Sequence, residues 1–166
     1  MNYLTVSLQT AHKKKDFDCG KLPLNQYLHN QAKQDVKRKL SACFILADDH
    51  DNVQGYYTLS NASIARDWLP EDIKTKLPPS YADLPATLMG RLAVDLKYKG
   101  LGLGKRLLID AMKRSYETSK TIGSMALVVD PLDEDAEQFY TRYGFIKLPD
   151  SHKMFLAMGT IATLFP

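Results

Sequence analysis

The pattern in this chain best suited to chemistry is Lys99-Gly100-Leu101-Gly102-Leu103-Gly104, three residues beyond the run Leu92-Ala93-Val94-Asp95. Glycines let a backbone curl until successive N–H groups point inward, and a following helix adds partial positive charge at its N-terminus. A turn of this kind holds an anion, above all a phosphate. Leu107, Leu108, Ala111 and Met112 recur on one face of a helix expected from about Lys105 to Tyr116. Two familiar phosphate loops do not fit. Arg106 stands where a P-loop needs Ser or Thr, and Gly100, Gly102 and Gly104 are spaced GxGxG rather than the GxGxxG of a dinucleotide site. The alternative for the glycines taken alone is a turn that binds nothing, the weaker of the two readings.

A second candidate lies downstream. Ser124 to Val129 reads as a buried strand, after which Asp130 is placed to cap a helix with Pro131 at its first position and Asp133, Glu134 and Asp135 in its first turn. That helix carries Ala136, Phe139, Tyr140 and Tyr143 and stops at Gly144. A phenol with an ordinary pKa of about 10 stays protonated at neutral pH, so Tyr140 is a possible proton donor, Tyr143 its fallback. The alternative is that Tyr140 packs beside Phe139 as core. His12, His29, His50 and His152 fall in loops or on a polar helix and are expected at the surface. Cys19 and Cys43 have no base patterned nearby and read as structural thiols, and no Cys/His cluster suggests a metal.

The charge is uneven. Up to Ser41 there are eight Lys/Arg against three Asp, including Lys13-Lys14-Lys15 and the group Lys33, Lys37, Arg38 and Lys39, whereas the whole chain carries only +3. Such clusters attract nucleic-acid phosphates through counterion release; the alternative is a solvated helix face with a loop.

These residues need a scaffold. A chain of 166 residues with 45% hydrophobic and 25% charged content suits one globular domain, residues 1–166. It has neither an apolar run of about 20 residues for a membrane span nor a signal-peptide pattern, so a cytoplasmic, metal-free protein is expected. Tyr3–Leu8 reads as a strand, Leu22–Lys39 as one or two helices, and Ala42–Ala47 and Val53–Asn61 as a hairpin around the turn at 48–52. Residues 62–86, with Pro70, Pro78, Pro79 and Pro85, read as an irregular insertion with one short helix. Thr87–Asp95 and Lys153–Thr160 are further strands. The order predicts an α/β fold, a mixed central sheet flanked by helices.

Arg91-Leu92-Ala93-Val94-Asp95, the loop Lys99–Gly104 and Ala136-Glu137-Gln138-Phe139-Tyr140-Thr141-Arg142-Tyr143-Gly144-Phe145 together resemble the signature of the GNAT acetyltransferases. Lys99 departs from the usual Gln or Arg but keeps the charge. The resemblance implies the GNAT fold and acetyl-CoA as acetyl donor, held by Leu92, Ala93, Val94, Lys99, Gly100, Leu101, Gly102, Leu103, Gly104, Lys105 and Phe139. It places a backbone N–H near Val94 on the developing oxyanion and makes Tyr140 the general acid toward the leaving thiolate. Phe17-Asp18-Cys19-Gly20, Leu24-Asn25-Gln26-Tyr27-Leu28, Ala32-Lys33-Gln34-Asp35 and Gly55-Tyr56-Tyr57-Thr58-Leu59-Ser60 are similar to the toxins of GNAT/ribbon-helix-helix toxin–antitoxin modules. That narrower resemblance implies acetylation of the α-amine of aminoacyl-tRNA, which blocks translation, a ribbon-helix-helix antitoxin and a homodimer. On it, Lys33, Lys37, Arg38 and Arg91 are expected to contact tRNA, although Arg91 is equally suited to pairing with a carboxylate. An acetyltransferase acting on a small amine or protein amine, and a non-catalytic coenzyme-binding module, remain the alternatives.

Overall fold

The computed structural model describes residues 2–149 and 151–166. Its elements run β1 (Val6–Ser7), α1 (Leu22–Asn30), α2 (Ala32–Lys37), β2 (Ala42–Ala47), β3 (Val53–Ala65), α3 (Glu71–Lys74), β4 (Asp83–Val94), α4 (Leu103–Ser119), β5 (Ala126–Val129), α5 (Glu134–Arg142), β6 (Ile146–Lys147), β7 (Met154–Ala157) and α6 (Met158–Ala162). The strands hydrogen-bond in the order β1-β2-β3-β4-β5-β7-β6, a mixed seven-stranded sheet as the element order predicts. No helix among the described residues is long and apolar enough to cross a membrane.

The chain forms two compact units. The first joins the residues up to Ser60 with Gly90–Ala111. In it β1 pairs antiparallel with β2, and β2 with β3 through Ala42↔Leu59 to Leu46↔Gly55. Phe17, Tyr27, Leu28, Ala32, Cys43, Ile45, Val53, Tyr56 and Ala93 make its core. Gly55 permits the close approach of three elements here: a Cβ at that position would lie 2.7 Å from Leu107 Cδ1 and 2.9 Å from the Ala93 carbonyl. The buried Asp110 carboxylate of α4 anchors the N-terminal segment, accepting from Leu4 N–H (2.7 Å), the Thr5 hydroxyl (2.6 Å) and the Tyr57 hydroxyl (2.8 Å).

The second unit holds Asn61–Met89 and Met112–Pro166. There β4 pairs in parallel with β5 over Thr87↔Leu127 to Met89↔Val129, and β7 pairs antiparallel with both β5 and β6. All four residues of β5 are buried, as expected of an apolar run in the interior of a sheet. A second core contains Ile64, Leu69, Leu84, Ala86, Ala126, Val128, Leu148 and Phe155.

Several boundaries differ from the sequence expectation. The first strand shrinks from Tyr3–Leu8 to Val6–Ser7, because Leu4 and Thr5 bond to Asp110 instead of to a strand. The irregular insertion contracts from 62–86 to the stretch between Ala65 and Asp83, because β3 and β4 both extend into it. Arg66 organises what remains, donating to the carbonyls of Pro78 (2.7 Å), Lys74 (2.8 Å) and Leu77 (3.1 Å). Asp133 rather than Asp130 caps α5: its carboxylate accepts from Ala136 N–H at 2.9 Å, so Pro131 precedes the helix. The final strand ends at Ala157 and gives way to α6, whose Met158 and Ile161 are buried.

Candidate active site

The turn beyond β4 is built from its flanks inward. Asp95, 3% exposed, accepts from Lys97 N–H (2.8 Å) through one carboxylate oxygen and from Asp18 N–H (3.1 Å) through the other. Leu96 N–H donates to the Asp18 carbonyl (2.9 Å). The Asp18 carboxylate in turn accepts from Gly20 N–H (2.9 Å) and the Asn25 amide (2.8 Å), while Asn25 accepts from Cys19 N–H (2.8 Å). The Gly20 bond, then that from Asn25, holds the Asp18 carboxyl below the ordinary carboxylate pKa. Phe17-Asp18-Cys19-Gly20 and Asn25 thus clasp the end of β4 and fix where the glycine turn starts. Their long-range purpose could not be read from spacing, since Asp18 and Asp95 are 77 positions apart.

Past this clasp, Gly100 (φ +83°) and Gly102 (φ +74°) adopt left-handed conformations that only glycine takes without strain, and open space faces each where a Cβ would stand. Arg106 N–H donates to the Gly102 carbonyl (3.2 Å), making Gly102 the cap of α4. The helix therefore starts at Leu103, two residues before the expected Lys105, and Leu103, Gly104 and Lys105 form its first turn. N–H groups of a helix's first turn have no partner within the helix and carry its positive dipole end. No acidic residue stands in that turn, and Lys99, Lys105 and Arg106 are exposed around it. This donor set fits a pyrophosphate. In the strand leading to the turn Ala93 is buried, with Leu92 and Val94 half-buried.

In the second unit α5 holds Tyr140 rigidly. Asp133 caps its start, with Glu134, Asp135 and Glu137 at the positive end of the dipole. At its end Gly144 (φ +93°) donates its N–H to the Thr141 carbonyl (3.1 Å), and Phe145 N–H donates to the Tyr140 carbonyl (3.1 Å). This is a Schellman termination with its usual apolar contact, Tyr140 against Phe145 at 5.3 Å between ring centroids. Phe139 meets Tyr140 edge-on at 5.3 Å and Tyr143 at 5.0 Å. Tyr140 is 6% exposed, and burial raises its phenol pKa above the ordinary value of about 10. It is a core side chain whose hydroxyl stays protonated at neutral pH.

The strand is joined to α1, and through it to α2, by an unforeseen contact. Arg91 of β4 lies over the Tyr27 ring of α1, its guanidinium carbon 3.5 Å from the centroid, and the Tyr27 hydroxyl donates to Asp35 of α2 at 3.0 Å. Desolvation, then the Asp35 bond, pushes the Tyr27 pKa up to about 12. The expected alternatives for Arg91 were a tRNA phosphate or a carboxylate; among the described residues its neighbour is an aromatic face. Lys33 and Lys37 of α2 and the adjoining Arg38 are exposed. Of the histidines expected at the surface, His12 is buried, its Nδ1 accepting from Gln9 N–H at 2.9 Å. Cys43 is buried and its pKa is pushed up to about 12 by desolvation, an inert thiol. Among the described residues no cluster of His, Cys, Asp or Glu is disposed to hold a metal.

Comparison with known proteins agrees with this geometry. The acetyltransferase (GNAT) domain family matches residues 40–147. A tRNA-acetylating toxin of Mycobacterium tuberculosis (strain ATCC 25618 / H37Rv) is 34% identical over 138 residues, 83% of this chain and 81% of the toxin. The structure of AtaT complexed with acetyl-methionyl-tRNAfMet superposes with a TM-score of 0.90 at 30% identity, covering 99% of this chain and 100% of that one. A tyrosine-to-phenylalanine mutant of AtaT, bound to the C-terminus of the antitoxin AtaR and to acetyl-CoA, matches with a TM-score of 0.82 at 28% identity over 97% and 96% of the two chains. A strand ending in an anion-binding turn, a helix-borne buried tyrosine and these likenesses lead to one assignment: the chain belongs to the GNAT acetyltransferase family.

Proposed function

We propose that this acetyltransferase passes the acetyl group of acetyl-CoA to the α-amine of an amino acid esterified to tRNA, and thereby acts as a translation-blocking toxin. The observation that carries the reading is the linkage of the exposed basic residues of α2 to β4 through Asp35, Tyr27 and Arg91. It supplies a phosphate-attracting surface coupled to the strand expected to receive the acetyl donor. The similarity to a tRNA-acetylating toxin and to AtaT in complex with an acetylated aminoacyl-tRNA supports the same acceptor.

Acetyl-CoA supplies an activated acetyl group as a thioester. Gly100–Lys105, with Lys99, hold its pyrophosphate, and Leu92–Val94 and Phe139 hold the arm that carries the thioester. A backbone N–H near Val94 receives the carbonyl oxygen as it gains charge under attack by the neutral amine. Tyr140 gives its hydroxyl proton to the departing thiolate. Lys33, Lys37, Arg38 and Arg91 orient the RNA. The amine of an aminoacyl ester is less basic than that of a free amino acid, so water suffices to take its proton. A ribbon-helix-helix antitoxin that wraps the toxin with its C-terminal segment is the natural partner, in line with AtaT bound to the C-terminus of AtaR. On this reading the enzyme works as a cytoplasmic homodimer.

The test is transfer of labelled acetyl from acetyl-CoA to charged bulk tRNA by the wild type and by Tyr140→Phe. Label on the aminoacyl group, lost in the variant, is the expected result. Label on a small amine or a peptide but on no charged tRNA overturns the toxin reading.

A further inference from the structure

A cavity of about 240 Å³ opens in the first unit beside α2, lined by Leu8, Gln9, Thr10, His12, Lys14, Lys33 and Val36. Its polar lining is rich in donors and contains no carboxylate. Lys14 and Lys33 supply two ammonium groups from different elements, the loop after β1 and the outer side of α2. His12 is fixed in a definite tautomer: because Nδ1 accepts from Gln9 N–H, the neutral ring carries its proton on Nε2. Thr10 adds a hydroxyl and Gln9 an amide. Leu8 and Val36 give apolar walls. The volume falls below the range of about 300–1,000 Å³ typical of small-molecule sites, so it suits a single small group better than a whole cofactor.

We propose that this cavity seats one phosphodiester, with part of its ribose, of the tRNA whose aminoacyl group the enzyme acetylates. The inference rests on the aminoacyl-tRNA reading above and adds to it a defined subsite, Lys14, Lys33, His12 and Thr10. Placement supports an RNA occupant over a free anion. Asp35, two residues from Lys33 on α2, is bonded to Tyr27, on which Arg91 of β4 is stacked. The cavity and the Arg91–Tyr27–Asp35 contact therefore share α2, on different faces of that helix. The net charge of the first 41 residues draws a polyanion along this path.

The experiment measures the affinity of the full chain for uncharged bulk tRNA at several salt concentrations, for wild type, Lys14→Gln, Lys14→Gln/Lys33→Gln and a charge control in the second unit, the exposed Lys76→Gln. Each lysine that neutralises a phosphate adds about one to the slope of log affinity against log salt. The slope is expected to fall by about one in the single variant and about two in the double, with acetyl-CoA affinity unchanged and Lys76→Gln matching wild type. A wild-type slope in Lys14→Gln, or an equal fall in Lys76→Gln, overturns the seat. So does unchanged tRNA binding accompanied by lost neutralisation by the antitoxin, which would make the cavity a peptide site. Failure of the toxin reading is separate: it shows as a wild type that acetylates no charged tRNA at all.

Discussion

Tyr140 joins two properties that usually compete. It is packed between Phe139 and Phe145 as a core side chain, yet its hydroxyl is assigned the proton that the leaving thiolate takes. Burial disfavours the phenolate, so the protonated form persists over a wide pH range while the phenol becomes a weaker acid. The raised pKa has a definite sign: the acid is lost only as pH climbs above its shifted value, beyond about 10. We expect kcat to show no falling limb from this group between pH 7 and 10, checked by steady-state kinetics in that window. Tyr140→Phe keeps the ring stacking and removes the proton; kcat is expected to drop by about 10²–10⁴-fold with the melting temperature nearly unchanged. On the side proposed for the acceptor, the corresponding residue is Tyr27. Tyr27→Phe removes the hydroxyl and its bond to Asp35, at a cost of about 1 kcal/mol, and should raise KM for charged tRNA only slightly. Tyr27→Leu also removes the face on which Arg91 rests, and KM for charged tRNA should rise several-fold while kcat holds. Equal effects of the two variants on KM would show that the stacking orients nothing.

At the level of elements, the glycine turn works because a clasp distant in sequence fixes its start. Gly55 is a second support, and its crowding by a backbone carbonyl and by Leu107 leaves no room for a methyl group. Gly55→Ala is expected to destabilise the protein by about 1–3 kcal/mol and to weaken acetyl-CoA binding, measured by denaturant titration and calorimetry. Arg66→Ala withdraws three carbonyl contacts from the segment between β3 and β4 and should make it the first site of limited proteolysis. Local signals were legible wherever the information is local. Ala42–Ala47 is a strand with the boundaries its apolar run predicts, and the stop of α5 at Gly144 follows from that residue's left-handed backbone. Asp130-Pro131 misled because both it and Asp133 offer good cap chemistry; only the main-chain bond from Ala136 decides between them. The clasp and the Arg91–Tyr27 contact were illegible for a different reason, since each joins residues more than sixty positions apart and neither leaves a periodicity behind.

For the whole molecule, the sheet order is the consequential fact. The expected mixed α/β architecture is present, but β3 and β4 are longer than their sequence patterns indicate because their outer halves belong to the second unit's core, with Ile64, Leu84 and Ala86. Stability in the first unit leans on Asp110. Replacing it by alanine takes an acceptor from three donors, each loss costing about 1–3 kcal/mol, and is expected to lower the melting temperature more than any surface substitution. The two strands at the ends of the sheet order, β1 and β6, are only two residues long. A sheet bounded so briefly gives an arriving strand almost no ladder to extend. Any contact between copies of this enzyme then falls to side chains rather than to ladder bonds, and the chain is spared a common route to aggregation.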